Sequence, residues 1–154
     1  MAPGLIALVA ALAVAVATGL AWQRTNGRIR GIRGSAVASG TPQTAGGAAA
    51  GTGPVLTSVE LGLPLGQRAT LVQFSTAFCA PCRATRRILA EVAGMVDGVE
   101  HVEIDAESHL DLVRRLDIRR TPTVLVVGPD GRVAKRASGQ PRKADVIAAV
   151  GDLS

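Results

Sequence analysis

The hydrophobic positions of this chain change their period along its length. Residues 5–22 are apolar throughout except for Thr18 and Gly19, and residues 1–23 hold no charged side chain. A helix over residues 4–22 would be about 28 Å long, close to the roughly 30 Å hydrocarbon core of a bilayer, with Trp22 at the interface. The pattern predicts a transmembrane helix there, with membrane lipid as its partner. Two other readings remain open. A cleaved signal peptide would lack the usual Lys or Arg ahead of its apolar core, although Ala15-Val16-Ala17 has the form of a cleavage site. A buried core helix would need a domain around it, which the next segment does not supply.

Residues 23–54 read as an Arg-rich collar and a flexible linker. Arg24, Arg28, Arg30 and Arg33 come first, and residues 34–54 then carry no charge and consist mainly of Gly, Ala, Ser and Thr. As a Gly-rich coil, those 21 residues would span about 25 Å end to end.

Residues 55–154 alternate short apolar runs with amphipathic stretches. Strands are expected at 69–74, 99–105, 123–127 and 132–137. Helices are expected at 82–94 with Ile88, Leu89 and Val92 inward, at 106–116 with Leu110, Val113 and Leu116, and at 142–150 with Val146, Ile147 and Val150. Gly94 is the expected stop of the first of these helices. Gly128-Pro129-Asp130-Gly131 marks a turn between the last two strands. Strand, helix and strand within about 35 residues make a βαβ unit with parallel strands. The fold class is therefore α/β, with helices on both faces of a four- or five-stranded mixed sheet.

Charge changes the picture only once it is located. The chain of 154 residues has a formal charge of +5 and an isoelectric point near 10.5. Four of its basic residues form the collar, while residues 55–154 hold thirteen basic and twelve acidic residues. With three aromatic residues and no Tyr, the chain has no base-stacking platform, and nucleic acid is not expected as a partner. Because Lys and Arg beside a membrane span tend to stay cytoplasmic, the collar favours a single-pass protein of the cell membrane with residues 55–154 on the cytoplasmic side. An extracytoplasmic or exported domain is the alternative.

The candidate chemistry is Cys79-Ala80-Pro81-Cys82, the whole cysteine content. The pair follows a strand and opens a helix. The helix dipole and free N–H groups there favour a thiolate at Cys79, and Arg83 adds positive charge. Cys82 is then the resolving thiol, close enough for a disulfide, and Pro81 stiffens the turn. Two structural cysteines are the plain alternative. Zinc is not expected, because seven residues separate His101 from His109, wider than the usual spacing.

The segment FSTAFCAPCR over residues 74–83, Thr121-Pro122-Thr123, the turn at Gly131 and Gly139 resemble the thioredoxin family over most of residues 69–150. The resemblance implies a thioredoxin-like three-layer fold, a central mixed sheet flanked by helices, in a domain over 55–154, separate from the transmembrane helix. It implies a cis-proline at Pro122 beside the cysteines, and a Thr121 backbone that pairs with extended substrate. The expected activity is a protein-disulfide reductase cycling between a Cys79/Cys82 dithiol and disulfide. It would use no cofactor beyond that disulfide and no metal, with disulfide-bearing proteins or thiols as substrates and an unidentified reductant for recycling. Oxidase or isomerase action, or a redox-sensing binding module without efficient turnover, are the alternatives.

Departures from the family pattern mark the supporting residues. Phe78 and Ala80 stand where the family usually has Trp and Gly. Gln73 replaces the usual buried acid, and His101 aligns with the Lys that neighbours it. A carboxamide is no proton acceptor, so a base for Cys82 would be water, substrate or His101.

Overall fold

The computed structural model describes residues 2–25, 27–32 and 53–153. In chain order its elements are α1 (Ala2–Thr25), β1 (Ile29–Gly31), α2 (Ser58–Leu61), β2 (Ala69–Ser75), α3 (Ala80–Met95), β3 (Val99–Asp105), α4 (Leu110–Arg115), β4 (Thr123–Val127), β5 (Val133–Ser138) and α5 (Lys143–Gly151). The five strands form one mixed sheet in the order β1-β5-β4-β2-β3, in which only the β2–β3 pair is parallel.

The sheet is buried on both faces, and its central strands β2 and β4 are buried at every position. One face packs Val72, Phe74, Leu125 and Val127 with Leu61 of α2 and Leu112 of α4. The other packs Leu71, Val124 and Val126 with Leu89 and Val92 of α3 and with Val146, Ala149 and Val150 of α5. Burying one such side chain is worth about 1.5–3 kcal/mol. The α/β expectation and the three layers hold.

The differences lie at the edges of elements. Helix α3 runs through Gly94, and the chain turns instead at Gly98, whose φ is +76°. Helix α4 is shorter than expected because the Asp105 carboxylate accepts from the Glu107 N–H and the Ser108 hydroxyl, holding residues 106–108 in a turn. This offset buries Leu112 and leaves Leu110 52 % exposed. In α5 the inward residue is Ala149, and Ile147 lies largely outside. Helix α2 is a single turn of four residues, the abbreviated first helix that the short stretch between Val55 and Ala69 leaves room for. Its capping box satisfies two free backbone donors, through Thr57 Oγ1 and the Glu60 carboxylate.

Two findings bear on the segment before residue 55. Ile29–Gly31, which the sequence reading left in the collar, pairs antiparallel with β5, with Ile29 opposite Ala137 and Gly31 opposite Lys135. Of the linker expected at 34–54, residues 34–52 lie outside the described residues, and at its end the Pro54 carbonyl accepts the Val133 N–H at 2.9 Å. At 4–22 there is a helix, α1, whose described side chains, residues 6–21, are all exposed and belong to neither core. Among the described residues no helix is long and apolar enough to cross a membrane. The transmembrane helix expected at 4–22 thus stands as a helix with an exposed apolar surface.

Candidate active site

Strand β2 ends at Ser75, and residues 76–78 turn the chain into α3. The Cys79 N–H donates to the Thr76 carbonyl at 3.3 Å, and the Cys82 N–H to the Cys79 carbonyl at 3.1 Å. Cys79 is the extended N-cap residue of α3, followed by Ala80 and Pro81 in the first turn, where the missing N–H of proline removes no helical hydrogen bond. The two cysteines form a disulfide with their Cα atoms 5.2 Å apart. Cys79 is half-buried at the surface and Cys82 is buried. Phe78, just before them, is 100 % exposed.

The Thr121–Pro122 bond is cis, and Pro122 is buried. Its carbonyl accepts the Gly139 N–H at 2.7 Å, which ties the start of β4 to the end of β5. The Thr121 hydroxyl meets that of Thr76 at 3.2 Å, so the proline loop touches the turn that carries Cys79. These contacts bring Thr121 and Pro122 to the cysteine end of the sheet.

Beneath the disulfide, the α3 side of the sheet is polar. Gln73 is fully buried and its Nε2 donates to Ser75 Oγ at 2.8 Å and to the Cys82 carbonyl at 3.0 Å. Glu103 lies opposite Gln73 in the parallel register of β2 and β3. Its carboxylate accepts from Ser75 Oγ at 2.6 Å and pairs with Arg86 of α3 at 2.5 Å. Burial alone would raise the Glu103 pKa, but hydrogen bonds from Arg86 and Ser75 and the Arg86 charge hold it below its ordinary value. A cleft of about 420 Å³ joins these groups, lined by Cys79 and Cys82 together with Ser75, Arg83, Arg86 and Glu103.

The structure separates His101 from this group. Its ring lies one row further from the cysteines, opposite Leu71, with Nε2 buried and unpartnered, and it does not line the cleft. Burial lowers its pKa from the usual 6.5, against a smaller opposing pull from Glu103, so it is neutral near pH 7. The acid missing at position 73 is supplied from the neighbouring strand, which sequence reasoning did not foresee. The signals were present: period two along β3 puts His101, Glu103 and Asp105 on one face, and Arg86 stands four residues after Cys82 on the same side of α3. Among the described residues no cluster of His, Cys, Asp and Glu is placed to hold a metal ion.

The family model for Thioredoxin matches residues 63–152. The thioredoxin of Mycoplasma genitalium is 30% identical over 77 residues, covering 50% of this chain and 74% of that protein. Thioredoxin H5 of Oryza sativa subsp. japonica is 26% identical over 72 residues, 47% of this chain and 53% of the rice protein, so the chain spans about half the length of that relative. Among solved structures, chloroplastic thioredoxin z superposes with a TM-score of 0.51 at 31% identity, over 56% of this chain and 79% of that one. The oxidised form of mitochondrial thioredoxin 3 of Saccharomyces cerevisiae gives 0.53 over 62% and 88% at 18% identity, a likeness of fold alone. The matched segment takes in more than half of the 154 residues, from the loop before β2 to the end of α5, and places this chain in the thioredoxin family.

Proposed function

We propose that the chain is a membrane-tethered thiol-disulfide oxidoreductase that reduces protein disulfides on the cytoplasmic side. The observation that carries the activity is the disulfide at the N-terminus of α3, with one sulfur residue at the surface and the other buried. In the reduced protein the Cys79 thiolate, favoured by the helix N-terminus, attacks a substrate disulfide and releases one substrate thiol. Cys82 then attacks Cys79 Sγ. The Cys79–Cys82 bond forms, the mixed disulfide breaks, and the second substrate sulfur leaves with the electron pair and takes up a proton. The Cys82 proton departs into the cleft, where Glu103 is a carboxylate able to accept it. Gln73 keeps Cys82 in place through its backbone carbonyl, and Phe78, Thr121 and Pro122 form the substrate rim. A separate reductant returns the disulfide to the dithiol.

The tether reading is supported by the exposed apolar surface of α1, on which Ile6, Leu8, Val9, Leu12, Val14 and Val16 are each more than half exposed. The cytoplasmic side is supported by the arginines that follow. Insulin reduction with a dithiol donor tests the activity. Cys79→Ser is expected to abolish turnover, and a Cys79→Ser protein with full activity would defeat the enzyme reading in favour of a binding or sensing module.

A further inference from the structure

The pairing of β1 with β5 decides where the reactive face lies relative to α1. Helix α1 ends at Thr25, and Gly27 already donates its N–H to the Ser138 carbonyl at 2.9 Å. Ser138 lies at the reactive end of the sheet, opposite Thr123, next to cis-Pro122. One row of the sheet then runs Ile29, Ala137, Val124 and Gln73. Gln73 is the residue bonded to the Cys82 carbonyl. Two peptide links from Thr25 to Gly27 reach at most about 7 Å. Three strand spacings from β1 to β2 add about 14 Å. The Ser138, Thr123 and Phe74 row at the reactive end of the sheet therefore lies within about 20 Å of the end of α1. The Gly-rich residues 34–54 come after β1 and add no reach between α1 and the sheet.

Position 27 is shaped for this close approach. Gly27 is buried with φ +79°, and a Cβ there would lie 1.9 Å from the Gln140 carbonyl oxygen. Only glycine passes the chain from α1 into the sheet at that point.

We propose that the redox face is held against the membrane surface, so that its partners are membrane proteins whose disulfides lie within about 20 Å of the bilayer. This rests on the tether reading above. A 21-residue linker between anchor and domain would instead let the cysteines reach freely into solution.

The test uses the full chain in phosphatidylcholine vesicles. Two probes carry the same self-quenched disulfide peptide on a lipid headgroup. One is attached directly, and the other stands on about twenty prolines that raise it by about 60 Å. The unmodified chain is expected to reduce the low probe at least tenfold faster than the high one. Inserting a 20-residue Gly-Ser segment between Thr25 and Asn26 is expected to shrink that ratio to less than twofold. Equal rates on the two probes with the unmodified chain would overturn the proposal while leaving the tether intact. Failure of the chain to float with the vesicles would overturn the tether reading itself, and the proposal with it.

Discussion

Gln73 and Glu103 are the two polar side chains linked beneath the disulfide, one bonded to the Cys82 carbonyl and the other to Ser75 and Arg86. A carboxylate at position 73 would sit in a fully buried place, where an unpaired charge is very costly, whereas a carboxamide needs only hydrogen-bond partners. The Gln73 amide nitrogen has Ser75 and the Cys82 carbonyl, while its oxygen is buried without a partner. One strand over, the Glu103 side chain keeps 25 % exposure and an Arg86 partner, which lets it stay charged. Because its folded-state pKa lies below the ordinary 4.5, its stabilising contribution is present above that value and is lost as pH falls through the folded one. Glu103→Gln should therefore be less stable than the parent in urea at pH 7, with the difference narrowing as pH falls below 4.5. Glu103 faces the Arg86 charge and the His101 ring, which is neutral near pH 7. Loss of the Glu103 charge also lowers the His101 pKa further, so the gap should widen slightly below pH 6.5 before it closes. A gap that stays constant from pH 7 to pH 3 would show that the carboxylate charge is not what stabilises. Sequence alone identified Gln73 as the anomaly and missed its compensation, because the register between β2 and β3 is a tertiary property.

Elements with a strong local period were legible, and those set by a partner were not. The strands at 69–75, 99–105 and 123–127 were readable because β-branched and aromatic runs bounded by turn residues have few alternatives. Three residues of β1 carry no period at all; they are a strand because β5 offers an open edge and Ile29 packs against the core on the α3 and α5 side of the sheet. The one local hint was Gly27 ahead of Ile29, in a stretch dominated by arginine. Gly27→Ala should displace β1, since a methyl group there meets the Gln140 carbonyl and a positive φ costs a non-glycine residue about 1–2 kcal/mol. Hydrogen exchange is expected to report lost protection at the Arg30 and Ile32 amides, which face β5, with β4 unchanged. Undiminished protection in β1 would mean that Gly27 does not govern the docking.

At the scale of the whole molecule the basic excess is a matter of position. Arg24 stands in the last turn of α1 and Arg28, Arg30 and Arg33 follow it within a few residues, whereas residues 55–154 are close to neutral, with ion pairs such as Arg115–Glu60 and Lys143–Glu91 spread over the surface. In a membrane-tethered chain, arginines this close to the helix fix which side the redox face occupies, and a cytoplasmic position would expose the disulfide to a reducing poise that keeps the dithiol form in supply. Cys82→Ser leaves Cys79 as the only thiol in the chain. In intact cells making that variant, a membrane-impermeant maleimide is expected to leave Cys79 unlabelled, and permeabilisation to raise labelling at least tenfold. Full labelling without permeabilisation would place the face outside. The arginines would then have failed to orient the chain, and the direction of exchange would have to be sought in oxidation or isomerisation, because an oxidising compartment withdraws the dithiol on which reduction depends.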